Sequence, residues 1–93
     1  MDFYYNRQGE PISQDEAMEF LKNDFDENRQ VAKDEIGDVM VSTVFLVFDH
    51  GIGPVPILFE TMVFGGDLDG QQWRYATEEE ALGGHQAVLE LAT

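Results

Sequence analysis

The chain has 93 residues, 43% hydrophobic and 12% aromatic, with 19 acidic against 5 basic residues and a formal net charge of −14. This length suits a single domain, residues 1–93, with one modest core, since a folded chain of this size buries roughly 60 to 65% of its unfolded surface; the apolar content excludes a disordered chain despite the charge. The absence of cysteine excludes disulfides, thiolate metal sites and cysteine nucleophiles, and the acidity argues against direct binding of nucleic acid or anionic lipid.

The first residues, "DFYYNRQGEPIS", bring aromatics, then turn formers through Gly9 and Pro11, then Ile12, which predicts a short edge hairpin or extended arm. They show no basic start leading into an apolar run, so no signal peptide is expected. Ser13 and Glu16 form an S-x-x-E capping pattern that predicts a helix over 14–24. Ala17, Phe20, Leu21 and Phe25 make its inner face, while Asp15, Glu19 and Asp26 line the outer side.

Two strand-like runs follow, 30–36 and 39–48, joined by Gly37-Asp38, a two-residue hairpin signal. A helix over 31–36 competes with the first of them. The second is apolar in both alternating sets, which predicts a central strand covered on both sides or nearly so. At about half the ~20 residues of a spanning helix it implies no membrane, and the cytoplasm is the simplest location. "DHGIGPVP" must leave the sheet and turn. The run 57–64 then returns antiparallel, and "GGDLDGQ" makes another loop. Residues 71–76 form a fourth strand with Trp73 and Tyr75 on one face and Gln72 and Arg74 on the other.

Thr77 and Glu80 repeat the capping pattern, and Glu78, Glu79 and Glu80 put negative charge in a first helical turn, where the backbone dipole favours it. The closing helix, 78–91, presents Ala81, Leu82, His85, Val88 and Leu89 inward. The expected fold class is therefore α+β: an antiparallel β-meander of about four strands with an N-terminal and a C-terminal helix packed on it.

Asp49, His50, Glu60 and His85 interrupt otherwise apolar stretches. Two histidines and two carboxylates suffice in type for a divalent ion or a general base, but their spacing matches no established metal motif, so no metal and no cofactor are expected. The alternative gives them structural work: Asp49-His50 pins the loop, and His85 sits between helix and sheet with its ring nitrogens satisfied. Gly83-Gly84 is costly inside a helix, at roughly 1 kcal/mol per glycine. Either the helix backbone lies close to the sheet, or the pair leaves room beside His85 for a partner. Trp73 and Tyr75 read as packed under a helix, and Arg74 as an ion-pair partner of Glu60 or of the Glu78 to Glu80 cluster. Between Glu10 and Asp38 there are ten acids and three bases, whereas residues 39–66 contain Asp49 and Glu60 alone. Such concentrated charge either keeps the protein soluble or fits a basic cleft by imitating phosphate spacing.

The stretches "VSTVFLVFDH", "LFETMVFGG" and "RYATEEEALGGH", with the Tyr-containing start and "PI", resemble a group of small uncharacterised proteins of bacteriophages and bacterial prophage regions. The likeness covers about residues 4–85. It implies a phage-encoded protein in the host cytoplasm and makes Asp49, His50, Glu60, Thr61, Arg74, Tyr75, Thr77 and His85 pattern positions, with no catalytic residue to carry over. The leading expectation is a non-enzymatic, acidic accessory protein that binds and inhibits or modulates a host protein with a basic surface, such as a defence or nucleic-acid-handling factor. The alternatives are sequestration of a small nucleotide-like ligand by His50, Arg74, Tyr75 and His85 around a pocket, or a small virion or assembly component.

Overall fold

A computed structural model describes residues 4–22, 29–49, 51 and 53–92. In chain order these form β1 (Tyr4–Tyr5), β2 (Pro11–Ile12), α1 (Gln14–Lys22), β3 (Gln30–Ile36), β4 (Val39–Phe45), β5 (Phe59–Phe64), β6 (Gln72–Tyr75) and α2 (Glu78–Ala92). Strands β3 to β6 make one antiparallel sheet in sequence order, and β1 and β2 a separate hairpin. This is the α+β meander that the hydrophobic pattern predicts. No helix among the described residues is long and apolar enough to cross a membrane.

Gly37 and Asp38 close the β3–β4 hairpin between the paired Ile36 and Val39. Gly37 has φ +59° while Asp38 is not left-handed, which is the backbone of a turn whose first central residue alone needs positive φ. Residues 31–36 are strand, not helix. A register shift between Gln30 and Ala32 lets Val31 as well as Ala32 lean toward the helical side, and Val31 packs against the core there.

Alternation gives the sheet two unlike faces. On the inner face Val41, Thr43 and Phe45 of β4 lie beside Phe59, Thr61 and Val63 of β5, all essentially buried. Helix α2 covers them with Ala81, His85 and Val88. Helix α1 packs at the end of the same face, where Ala17 joins Phe45, Val47, Leu58, Phe59 and Ala81 in one cluster. Phe45 stacks edge-on against Phe20 at 5.8 Å and lies 5.4 Å from Phe59. A fully buried side chain of this size contributes about 1.5–3 kcal/mol, so this aromatic cluster is the main anchor between helix and sheet.

The outer face is less covered than the sequence expectation of a central strand covered on both sides or nearly so. Met40, Ser42, Val44, Glu60 and Met62 are only half-buried and Phe64 is 43% exposed, with both helices packed on the other face. Among the described residues, apolar side chains occur there without a second layer.

The expected strand 39–48 also ends early, at Phe45. The carbonyl of Phe45 accepts a hydrogen bond from Arg29 Nε at 2.8 Å, and Val47 turns the chain with φ +71°. A β-branched residue in that region is strained by about 1–3 kcal/mol, and Val47 holds it because its side chain is buried in the core. After the turn the backbone serves the N-terminal arm instead: Tyr5 N–H donates to Val47 O at 2.7 Å and Tyr4 bridges to Phe48. The apolar run is thus long because it completes two sheets.

Both helix starts carry the predicted caps. Glu16 N–H donates to Ser13 Oγ at 3.1 Å and Glu80 N–H to Thr77 Oγ1 at 3.1 Å, while each hydroxyl donates to the carboxylate of the same glutamate. Helix α1 is described to Lys22, so the expected inner Phe25 and outer Asp26 lie outside the described residues. In α2 the expected inner Leu82 is instead 47% exposed. Ala81, His85 and Val88 already fill the contact line, and Leu82 falls about 100° away from Ala81 around the helix.

Candidate functional site

His85 is 1% exposed and ties α2 to two strands. Its Nδ1 lies 2.7 Å from Thr43 Oγ1 on β4, and its Nε2 lies 2.8 Å from Asp34 Oδ2 on β3. Thr43 Oγ1 lies in turn 2.5 Å from Thr61 Oγ1 on β5. With the ring hydrogen on Nε2, every donor has one direction: Thr61 to Thr43, Thr43 to His85, His85 to Asp34. The strand register brings the four groups together, because Thr43 is directly opposite Thr61 and Asp34 opposite Val41, all on the inner face.

Carboxylate, imidazole and hydroxyl in this order make the constellation that activates a nucleophile. Here, however, Thr43 is 0% exposed and lies beneath α2. A substrate would have to displace the helix that carries the base. What the arrangement does chemically is satisfy a buried imidazole at both nitrogens and lock helix to sheet. Asp34 and Thr43 were not singled out by sequence reasoning, and Thr61 stands with His85 only among the pattern positions of the resemblance. A signal existed: Thr43 and Thr61 share the parity of Val41, Phe45, Phe59 and Val63, so two hydroxyls had to be partnered on an otherwise apolar face.

Among the described residues, the remaining candidates do not form one pocket. Arg74 projects from the outer face, where its Nε donates to Glu60 Oε2 at 3.0 Å from the opposite position on β5. Of the two partners expected for Arg74, Glu60 and the Glu78 to Glu80 cluster, this pair is with Glu60, worth at most about 1 kcal/mol with the arginine side chain 46% exposed. Tyr75 and Trp73 point to the other face and pack against the two core clusters under α2. The pocket expected from Arg74, Tyr75 and His85 is therefore split by the sheet itself, because Arg74 alternates with its neighbour Tyr75. His50 lies outside the described residues.

Asp49 Oδ1 accepts from Gly51 N–H at 2.7 Å and Ile57 N–H at 2.8 Å, closing the loop that follows β4. Asp49→Ala is expected to lower stability by about 1–3 kcal/mol by leaving these amides without their charged acceptor. Hydrogen exchange checks this: the Gly51 and Ile57 amides should speed up more than those of β4.

Of the acidic-face candidates, Asp15 and Glu19 are exposed on α1 and Asp26 lies outside the described residues. Among the described residues no three His, Asp or Glu side chains converge as a metal site. Compared with protein-family models, curated proteins and solved structures, the chain matches none of them.

Proposed function

We propose that the chain is a non-enzymatic binding protein that engages a protein with a basic surface through the acidic side formed by its two helices. One observation carries this reading, the segregation of charge between the two sides of the sheet. Both helices lie on the inner side, and Asp15, Glu16 and Glu19 of α1 with Glu79, Glu80 and Glu90 of α2 are exposed on them, against Lys22 of α1. The outer face carries Lys33 and Arg74 against Glu35 and Glu60, a balanced set. The polar groups that could have served chemistry, Asp49, Glu60, Arg74 and His85, are engaged in bonds within the chain.

The resemblance to small bacteriophage proteins supplies the setting: a host protein in the host cytoplasm, inhibited or modulated, with a defence or nucleic-acid-handling factor as the partner class. An acidic side of this kind occupies a basic cleft by steering and long-range attraction. In binding measured against a partner captured from host lysate, Asp15→Lys with Glu19→Lys is expected to slow association about tenfold, and salt should do the same, since exposed charges are screened over roughly 8 to 10 Å at physiological ionic strength. Both carboxylates are exposed, so the thermal midpoint should move little. Association that is indifferent both to the double variant and to salt defeats the proposal.

A further inference from the structure

We infer that the open outer face of the sheet is a homodimer interface, in which two copies pack face to face about a two-fold axis parallel to the strands. The first observation is the face itself: Met40, Val44, Met62 and Phe64 form an apolar band over the two central strands, away from the helical layer. The second is its charge. The chain carries −14 overall, yet this face presents two positive and two negative side chains, Lys33 and Arg74 with Glu35 and Glu60. Two copies meeting through their helical sides bring like charges together, whereas meeting through this face brings a neutral surface to a neutral surface.

The register makes the face complementary to itself. Met40 is opposite Phe64, Ser42 opposite Met62, and Val44 opposite Glu60; Lys33 is opposite Ser42, and Gln72 opposite Met62. Rotation about an axis parallel to the strands lays β4 of one copy over β5 of the other and β3 over β6. Met40 then meets Phe64 of the second copy, the small Ser42 meets the long Met62, and Lys33 meets Gln72. Val44 meets Glu60, which keeps its ion pair with Arg74, and no like charges are apposed.

Face-to-face sheets pack about 10 Å apart, and four strands of 7, 7, 6 and 4 residues at about 4.8 Å spacing give a footprint of about 400 Å² per copy. That is below the standard size of specific interfaces and places the contact in the weak, transient class, so the dimer is sought at about 1–100 μM. Flexible methionines suit such a contact because they adapt to the opposing surface.

Sedimentation equilibrium on the full chain across that range should show a monomer–dimer equilibrium. Met62→Lys should raise the midpoint concentration by about a hundredfold or more, because an unpaired charge at the centre of a dry interface is strongly opposed. Its circular dichroism should be unchanged, since the position faces solvent in the monomer. Because the chain has no cysteine, Ser42→Cys offers an independent reading in a protein with its fold intact. A short bismaleimide should join two Ser42→Cys copies but not two Gln86→Cys copies, whose label lies exposed on α2. A chain that stays monomeric throughout, a dimer untouched by Met62→Lys, or equal crosslinking from the two cysteine positions would each overturn the assignment.

Discussion

Gly84→Ala is expected to destabilise the fold by about 1–3 kcal/mol, the cost of overpacking, while Gly83→Ala stabilises it by about 0.5–1 kcal/mol, the ordinary gain of alanine over glycine inside a helix. The two glycines are adjacent and both helical, so propensity alone treats them alike. Packing separates them. A β-carbon on Gly84 would lie 2.2 to 2.3 Å from Cε1, Cζ and Oη of Tyr75, whereas one on Gly83 meets nothing within 4 Å. The Tyr75 ring is held between α2 and the core cluster of Phe45 and Phe59, which limits its retreat. Tyr75 Oη is itself buried without a hydrogen-bond partner among the described residues. Tyr75→Phe should therefore be neutral or stabilising, against the usual loss when a buried hydroxyl is removed, and should soften the penalty of Gly84→Ala by relieving one of its three contacts. Urea titration of the four variants decides the matter. Equal effects at positions 83 and 84 would mean that the helix does not approach Tyr75 as described.

Of the two explanations that the Gly83-Gly84 pair admits from sequence, close approach of the helix backbone accounts for Gly84 alone. The distinction was not legible, because it depends on which strand residue lies beneath the helix, a long-range fact that local spacing does not carry. Elements were more legible than edges. Strand β3 spans the predicted residues, and both caps follow from S-x-x-E and T-x-x-E, since capping is a local hydrogen-bond pattern. The end of β4 was not legible, because Leu46 and Val47 continue the apolar run while the backbone leaves the sheet to pair with Tyr5. The open outer face was likewise hidden: Met40, Val44 and Met62 are as apolar as buried residues, and alternation reports two apolar faces without saying how many layers cover them. That Arg74 forms an ion pair was legible from the scarcity of bases, whereas the choice of Glu60 over the Glu78 to Glu80 cluster needed the strand register.

His85→Ala is expected to cost about 3–5 kcal/mol, since it opens a cavity under α2 and strips the partners of two strands at once. The size of the loss does not by itself separate a packing role from a hydrogen-bonded one, so the threonines supply the discriminating measurement. Thr43 stands in the middle of the relay, bonded to both His85 Nδ1 and Thr61 Oγ1, and Thr61 stands at its end. Both hydroxyls are fully buried and both threonines have the shape of valine. If the relay is what locks α2 to the sheet, Thr43→Val orphans two buried groups and should cost about 2–4 kcal/mol, whereas Thr61→Val leaves Thr43 free to donate to the imidazole and should cost about 1 kcal/mol. Because removing both partners of a buried bond is less harmful than removing one, the double variant should fall short of the sum of the singles by about 0.5–1 kcal/mol. The same order should appear in the imidazole: Thr43→Val, but not Thr61→Val, should change the nitrogen chemical shift of His85 Nδ1. Threonine variants that are equally mild and strictly additive would reduce His85 to a well-packed side chain and remove the relay as the bond between helix and sheet.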